Sequence, residues 1–155
     1  MAELHTTGLA ELHKALQNLP VEIEKKILAS ALRAGLREIE AAAKANVPVK
    51  SGALQKSIKV RVRNKKDRWR LKGVVVAGNK EAYYAHMVEF GTAAHLIKPK
   101  SRKSLFIAGV MRELVEHPGA APHPFMRPAF DAANEAAVNA FADKARAGLA
   151  RLNKK

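Results

Sequence analysis

The chain has 155 residues, of which 48% are hydrophobic, and it contains no cysteine. This length suits one domain with its own core, and the missing cysteine excludes disulfides, thiolate metal sites and a cysteine nucleophile. The net charge of +14 favours an anionic partner such as nucleic acid, a membrane surface or an acidic protein. No apolar run reaches the ~18 residues of a membrane span, and charged residues interrupt the first 20 residues, unlike a signal peptide. We therefore expect a protein of the cytosol or of a soluble assembly.

Two helices are predicted in the N-terminal part of the chain. The first spans Gly8–Leu19, where leucines recur on one side. The second spans Val21–Asn46 and is long and amphipathic, because its apolar residues follow the helical period throughout. It ends before Pro48, which disfavours the helical conformation of the preceding residue, and Gly52 then permits a turn.

After this turn the apolar residues alternate with a period of two, which is typical of strands. Polar residues at positions 64–67 interrupt the alternation and predict a β-hairpin with its turn there. In that register Val62 pairs with Trp69 and Val60 pairs with Leu71 on the apolar face.

The opposite face of the predicted hairpin carries only basic side chains: Lys59, Arg61, Arg63, Arg68, Arg70 and Lys72. Residues 47–72 contain ten basic residues and one acidic residue, so this segment supplies most of the net charge. Like charges directly opposite one another destabilise strand pairing by a few tenths of a kcal/mol. We interpret the face as a surface that meets an anion, either DNA or an acidic protein, with an ordinary solvated strand face as the alternative.

The rest of the chain predicts short elements and then a second long helix. A short helix or turn over Tyr83–Phe90 ends at Gly91, and Pro128 lies near the first turn of the final helix. Its apolar stripe is expected to include Phe130, Ala133, Ala137, Phe141 and Ala145. Short strands are expected at His95–Lys98, Leu105–Ile107 and Met111–Glu116.

The predicted fold is α+β, with an antiparallel β-sheet and the long N-terminal and C-terminal helices packed on one of its faces. We expect a single domain over residues 1–155. Its parts are N-terminal helices at 8–46, a β-rich middle with the basic hairpin at 57–116, and a C-terminal helix at 127–152.

No pattern for catalysis or cofactor binding is present. The glycines form no GxGxxG or GxxxxGK phosphate loop, and no GxSxG motif occurs. His86 and Glu89 are spaced to share one side of a helical turn, so a metal-dependent hydrolase is a remote alternative. No fixed ligand spacing such as HExxH accompanies them. We therefore expect no catalytic residues, no metal, no cofactor and no enzymatic activity.

Three blocks of sequence stand out in combination. They read VPVKSGALQKSI at residues 47–58, YAHMVEFGT at 84–92 and PFMRPAF at 124–130, with His117-Pro118-Gly119 between the last two. Together they resemble the neck, or tail-completion, family of tailed bacteriophages, which are small proteins of the head–tail junction. The resemblance covers about residues 8–150.

The resemblance implies a structural virion protein of the head–tail junction, present in the host cytoplasm during assembly. It further implies a homo-oligomeric ring, with a hexamer favoured, between head-completion or connector proteins and tail tube or tail terminator proteins. Genomic DNA would pass through the lumen of the ring, and no membrane would be involved.

The alternative from another class is a non-sequence-specific nucleic-acid-binding protein that acts as a monomer or dimer. The chain shows no helix-turn-helix or zinc-finger pattern. Trp69 is the aromatic residue beside the basic face, on its opposite side, so base stacking on single strands is disfavoured. Backbone contact, or passage of DNA past the surface, therefore suits the hairpin better than sequence readout.

Some residues of the three blocks are assigned roles in turns or contacts. Gly52, Phe90 and Gly91 are interpreted as fold-specifying turns, with Phe90 buried and Gly91 in a left-handed turn. Phe125 lies between prolines as a preset apolar anchor. For Phe125 and Arg127 a place in the core and a place at a subunit or ring interface both stay open, and we take them as candidate interface residues.

Overall fold

Helices come first and last along the chain, and strands lie between them. The computed structural model describes residues 9–17, 21–64, 71–99, 104–107 and 109–152. The helices are α1 (Leu9–Gln17), α2 (Val21–Asn46), α3 (Ala53–Ser57), α4 (Ala85–Phe90) and α5 (Met126–Leu152). The strands are β1 (Lys59–Asn64), β2 (Leu71–Val76), β3 (His95–Ile97), β4 (Leu105–Ile107), β5 (Val110–Arg112) and β6 (Val115–His117).

Helices α2 and α5 pack along each other and form the largest contact between described elements. The residues that α5 buries are all alanines: Ala129, Ala133, Ala137, Ala142 and Ala145. Small side chains allow the two backbones to approach closely. At Gly35 an added Cβ would lie 2.4 Å from the carbonyl oxygen of Ala137. None of the described helices is long and apolar enough to span a membrane.

Strands β1 and β2 form an antiparallel pair whose apolar face packs against α2. Here too the approach is close, since a Cβ on Gly73 would lie 2.4 Å from Cδ1 of Leu36 and 2.8 Å from Leu32. Val75 of β2 also packs against a cluster that contains residues of both α2 and α5. The predicted α+β fold, with both long helices on one face of an antiparallel sheet, is therefore confirmed.

The predicted hairpin register is wrong by four residues on β2. Val62 lies opposite Gly73 and Val60 lies opposite Val75, in place of Trp69 and Leu71. The tertiary contact accounts for the difference, because in the observed register Gly73 lies against the leucines of α2, where an added Cβ would press on Leu36 and Leu32. The predicted turn at 64–67 falls largely outside the described residues, as do Trp69, Arg68 and Arg70. A register shift by an even number of residues leaves every side chain on the same face of its strand. Lys72 therefore lies on the face that was predicted for it.

The described residues between Thr92 and Ala120 form two short antiparallel strand pairs, and we call these residues the ribbon arm. It begins at a bridge between Thr92 and Ala120, continues through the β3–β6 pair and reaches the β4–β5 pair. The strand expected at Met111–Glu116 is two strands, β5 and β6, because the pairing register changes between them.

The main core joins the end of α2, α3, α4 and the start of α5. Its buried residues are Ala43, Val47, Leu54, Ile58, Ala82, Ala85, Phe125 and Ala129. Phe125 and Ile58 are the largest side chains that are completely buried. The predicted place of Phe130 in the apolar stripe of α5 is wrong. Phe130 is 55% exposed, because it lies about 100° round the helix from the buried Ala129.

Gly35→Ala tests the close approach of α2 and α5. Alanine gains ~1 kcal/mol of helix propensity over glycine, but the added methyl meets the rigid carbonyl of Ala137, and overpacking costs ~1–3 kcal/mol. We expect a lower free energy of unfolding in urea. Gly148→Ala is the comparison, because its Cβ would meet a side-chain methyl group, Cγ2 of Ile27 at 2.9 Å, and not backbone, so we expect a smaller loss of stability there. A Gly35→Ala variant more stable than the parent would contradict the packing described here.

Candidate functional site

The outer face of the β1–β2 pair is basic. Lys59, Arg61, Arg63 and Lys72 lie on it and are all exposed, while the other face packs against α2. Arg63 lies directly opposite Lys72, so two like charges are paired across the strands. Within the part of the chain that the structure describes, none of the four has an acidic partner. We call these four residues the basic face.

A second arrangement joins the block at residues 84–92 to the block at 124–130. The carboxylate of Glu89, at the end of α4, accepts three hydrogen bonds from backbone N–H groups where α5 begins. Oε2 lies 2.7 Å from the nitrogen of Phe125 and 2.9 Å from that of Met126, and Oε1 lies 3.2 Å from that of Arg127. The next residue, Pro128, has no N–H. The four positions at a helix start whose N–H groups lack an intrahelical partner are thus accounted for, by three hydrogen bonds and one proline.

The charge of Glu89 suits this position. Partial burial alone would raise the pKa of Glu89, but the three backbone donors, together with the positive charge of Arg127, outweigh it and hold that pKa below its ordinary value of 4.5. The carboxylate also lies at the positive end of the α5 dipole. Glu89 is therefore an anionic cap that holds α4 against the start of α5.

Backbone hydrogen bonds also join the two blocks at this junction. The N–H of His123 donates to the carbonyl of Val88 at 2.8 Å, and Thr92 and Ala120 exchange two hydrogen bonds. Gly91 lies between these contacts with φ 72°, and a Cβ there would lie 2.6 Å from the carbonyl oxygen of Ala120. At the other predicted turn Gly52 has φ 77°. Both glycines adopt the left-handed region that side chains disfavour.

The expectation that Phe90 is buried is wrong, since it is 78% exposed. Helix α4 buries Ala85 and packs Val88 against the core, and Phe90 lies more than 120° round the helix from both. Phe125, by contrast, is only 1% exposed within a single chain. Of the two places left open for it, the structure therefore shows the core, whereas Arg127 is exposed and its interface role remains a prediction.

A groove of about 690 Å³ runs between Phe90 and Phe130. Pro124, Met126 and Arg127 contribute to its walls, and Asp131 lies at its edge. Sequence reasoning missed this groove, because it assigned both phenylalanines to the core. The available signal was that the alanines of α5 already form a complete helical stripe without Phe130.

The arrangement around Glu89 does not resemble a metal centre. No three His, Asp or Glu side chains among the described residues are grouped to hold a metal ion. The Glu89 carboxylate is occupied by backbone donors, and Nδ1 of His86 donates to the carbonyl of Tyr83 at 3.1 Å. Both residues of the hydrolase alternative thus have backbone hydrogen-bond partners.

Glu89→Gln tests the cap. The variant retains the shape but loses the charge and turns an N–H₂ group toward the donors, so at pH 7 we expect a loss of about 1–2 kcal/mol in the free energy of unfolding. The pKa of Glu89 is lowered in the folded state. Its contribution is therefore complete above pH 4.5 and is lost as the pH falls through the lower folded value.

The difference between parent and variant in urea unfolding should accordingly shrink between pH 6 and pH 3. Glu113→Gln, on an exposed residue of the ribbon arm, is the matched control and should leave stability unchanged. A loss that is the same at every pH would contradict an anionic cap.

Comparison with known proteins places the chain in a family. Residues 10–91, just over half of the chain, match the family described as "Bacteriophage HK97-gp10, putative tail-component". The match covers α1 to α4 and stops at Gly91, before the ribbon arm and α5. Neither a curated protein nor a solved structure matches the chain significantly. The chain belongs to the HK97-gp10-like family of bacteriophage tail components.

Proposed function

We propose that this tail component is a structural virion protein of the head–tail junction, where copies form a ring and the basic face lines the path of the DNA. Family membership supports a structural protein of the phage tail and not an enzyme. The observation that carries the finer proposal is the basic face itself. It is the exposed side of a sheet whose other side is covered by α2.

The spacing of the basic face suits a phosphate backbone. Lys59, Arg61 and Arg63 alternate along β1, so successive side chains on the face are ~6.6 Å apart. One DNA strand carries a phosphate every ~3.4 Å along the axis, so a strand lying along the DNA would meet every second phosphate. Phosphates would also relieve the repulsion between Arg63 and Lys72. The described face carries no aromatic side chain for stacking, which favours contact that is independent of sequence.

A ring would contact more phosphates than a single copy can. Four cations on one copy neutralise few phosphates, whereas a closed ring repeats the same face around the DNA without blocking its passage. We favour six copies, between head-completion or connector proteins on one side and tail tube or tail terminator proteins on the other. The chain would then be present in the host cytoplasm during assembly and at the head–tail junction in the virion.

Arg61→Glu with Arg63→Glu tests the basic face. The matched control is Arg33→Glu with Arg37→Glu, which makes the same change of charge on exposed positions of α2. In phage that depend on the variant chain, we expect the first pair to lower infectious titre through particles that fail to join or to retain DNA, and the control pair to leave titre near normal.

Salt dependence distinguishes DNA from an acidic protein as the partner. Binding of the purified chain to random duplex DNA should weaken with salt, and the loss of two phosphate contacts should reduce the slope of log K against log salt by ~1.8. A double variant with normal titre and an unchanged slope would contradict the proposal. A lower titre with an unchanged slope would instead assign the face to an acidic neighbour in the particle.

The second candidate is a nucleic-acid-binding protein that acts as a monomer or dimer, and the exposed basic face is what favours it. Purified particles discriminate between the two. Several copies of the chain in each virion would support the ring. A chain absent from virions that still binds DNA as a monomer supports the second candidate.

A further inference from the structure

Two histidines meet at the base of the ribbon arm. His95 of β3 lies directly opposite His117 of β6, and their rings stack with centroids 5.0 Å apart and planes 28° from parallel. His95 is exposed, whereas His117 is half-buried. Each ring also forms a hydrogen bond with the backbone. These two hydrogen bonds determine which ring nitrogens carry protons.

The two hydrogen bonds require different protonation of the rings. Nδ1 of His95 lies 3.0 Å from the carbonyl oxygen of Ala93, which can only accept, so this nitrogen carries a proton. The N–H of Gly119 donates to Nδ1 of His117 at 3.0 Å, so that nitrogen carries none. His117 is therefore neutral, with its proton on Nε2. His95, by contrast, keeps its hydrogen bond with or without a second proton.

The hydrogen bond to His117 supports the turn that closes the base of the arm. Gly119 has φ 88°, and a Cβ there would lie 2.2 Å from the carbonyl oxygen of Thr92. The next residue, Ala120, exchanges two backbone hydrogen bonds with Thr92. The ring of His117 thus helps to fix the backbone that aligns Ala120 with Thr92.

Asn79 makes the same kind of contact with a group that does not titrate. Its Oδ1 accepts from the N–H of Glu81, two residues further along the chain, at 3.0 Å. Asparagine commonly forms turns in this way. At His117 a ring nitrogen has the role of that oxygen, and histidine is the side chain that changes charge between pH 5 and 8. The turn at the base of the arm therefore depends on pH, unlike the turn at Asn79.

We propose that His117 is a pH-sensitive switch at the base of the ribbon arm. A proton on Nδ1 replaces the acceptor with a donor, so the hydrogen bond from Gly119 is lost. The proton also places a positive charge against His95, a residue of the same titrating type. At neutral pH the arm is held at its base, and as the pH falls it is released from the bridge between Thr92 and Ala120.

The neighbouring charges do not restore the lost hydrogen bond. Among the described elements, β3 and β6 pack chiefly against each other. Besides the two histidines, their titratable or charged groups are Glu116 of β6 and Lys98, just after β3. Glu116 lines the same concavity as the histidines, so its carboxylate would stabilise a positively charged ring and assist the release. Lys98 opposes it from an exposed position, where solvent screens its charge.

The switch is a property of a single copy and does not depend on the ring or on DNA. It concerns residues after Gly91, beyond the part of the chain that matches the family. It also acts in a higher pH range than the Glu89 cap, whose contribution is complete above pH 4.5.

Nuclear magnetic resonance of the full-length chain, labelled with nitrogen-15, tests the protonation of the rings. At pH 7.5 the neutral ring of His117 should carry its proton on Nε2. His86 is the internal comparison, because its Nδ1 donates to the carbonyl of Tyr83 and should carry the proton. This measurement requires no substitution.

Amide hydrogen exchange tests the release. We expect the protection of the Thr92 and Ala120 amides, relative to an unfolded chain at the same pH, to fall ~5-fold or more between pH 7.5 and pH 5, as for the loss of one hydrogen bond. His117→Asn retains an acceptor that does not titrate, so its protection should be the same at both pH values. His86→Asn is the matched control and should behave like the parent, since His86 lies on α4 and not in the arm.

Three results would overturn the proposal. They are a proton on Nδ1 of His117 in the neutral ring, protection in the parent that does not change with pH, and a fall in His117→Asn that equals the fall in the parent. Each of these results would leave the proposed function in place. Virions without a ring of this chain would refute the proposed function and leave the switch in place.

Discussion

The Glu89 carboxylate, bound by three backbone N–H groups, organises the junction between α4 and the start of α5. It joins the part of the chain that carries the family match to the helix that completes the core. Once α5 begins there, Phe125 is buried and the alanines of α5 lie against α2. The cap uses an anion because the first turn of α5 offers three donors and its fourth position is Pro128, which has none.

This junction also determines what the surface offers. The close approach of small residues, such as Gly35 on Ala137 and Gly73 on Leu36, brings two helices and a sheet together with little bulk between them. The basic face is exposed on the outer side of the β1–β2 sheet. Phe90, just before Gly91, and the ribbon arm, just after it, are exposed as well. We propose that neighbours in the particle cover these surfaces. The monomer thus separates its own packing from its surfaces for assembly.

Local patterns in the sequence predicted the long helices but neither the short helix α3 nor the contacts between elements. Helix α2 was predicted over Val21–Asn46 as observed, because helical period and a following proline are local signals. The register of β2 was missed because it depends on Gly73 meeting leucines of α2, a contact between distant residues. The Glu89 cap was missed for the same reason, since its partners lie 36 to 38 residues away along the chain. Phe90 was misplaced because its aromatic character suggests burial, whereas its position on α4 decides otherwise.

We propose that copies of this chain form a ring around the DNA path at the head–tail junction. A reconstruction of the neck of intact virions by electron cryomicroscopy tests it most directly. We expect a closed ring of this chain, with β1 and β2 facing the DNA density. Density for a single copy beside the neck, or a ring whose β1–β2 sheet faces away from the DNA and from every neighbouring protein, would contradict it.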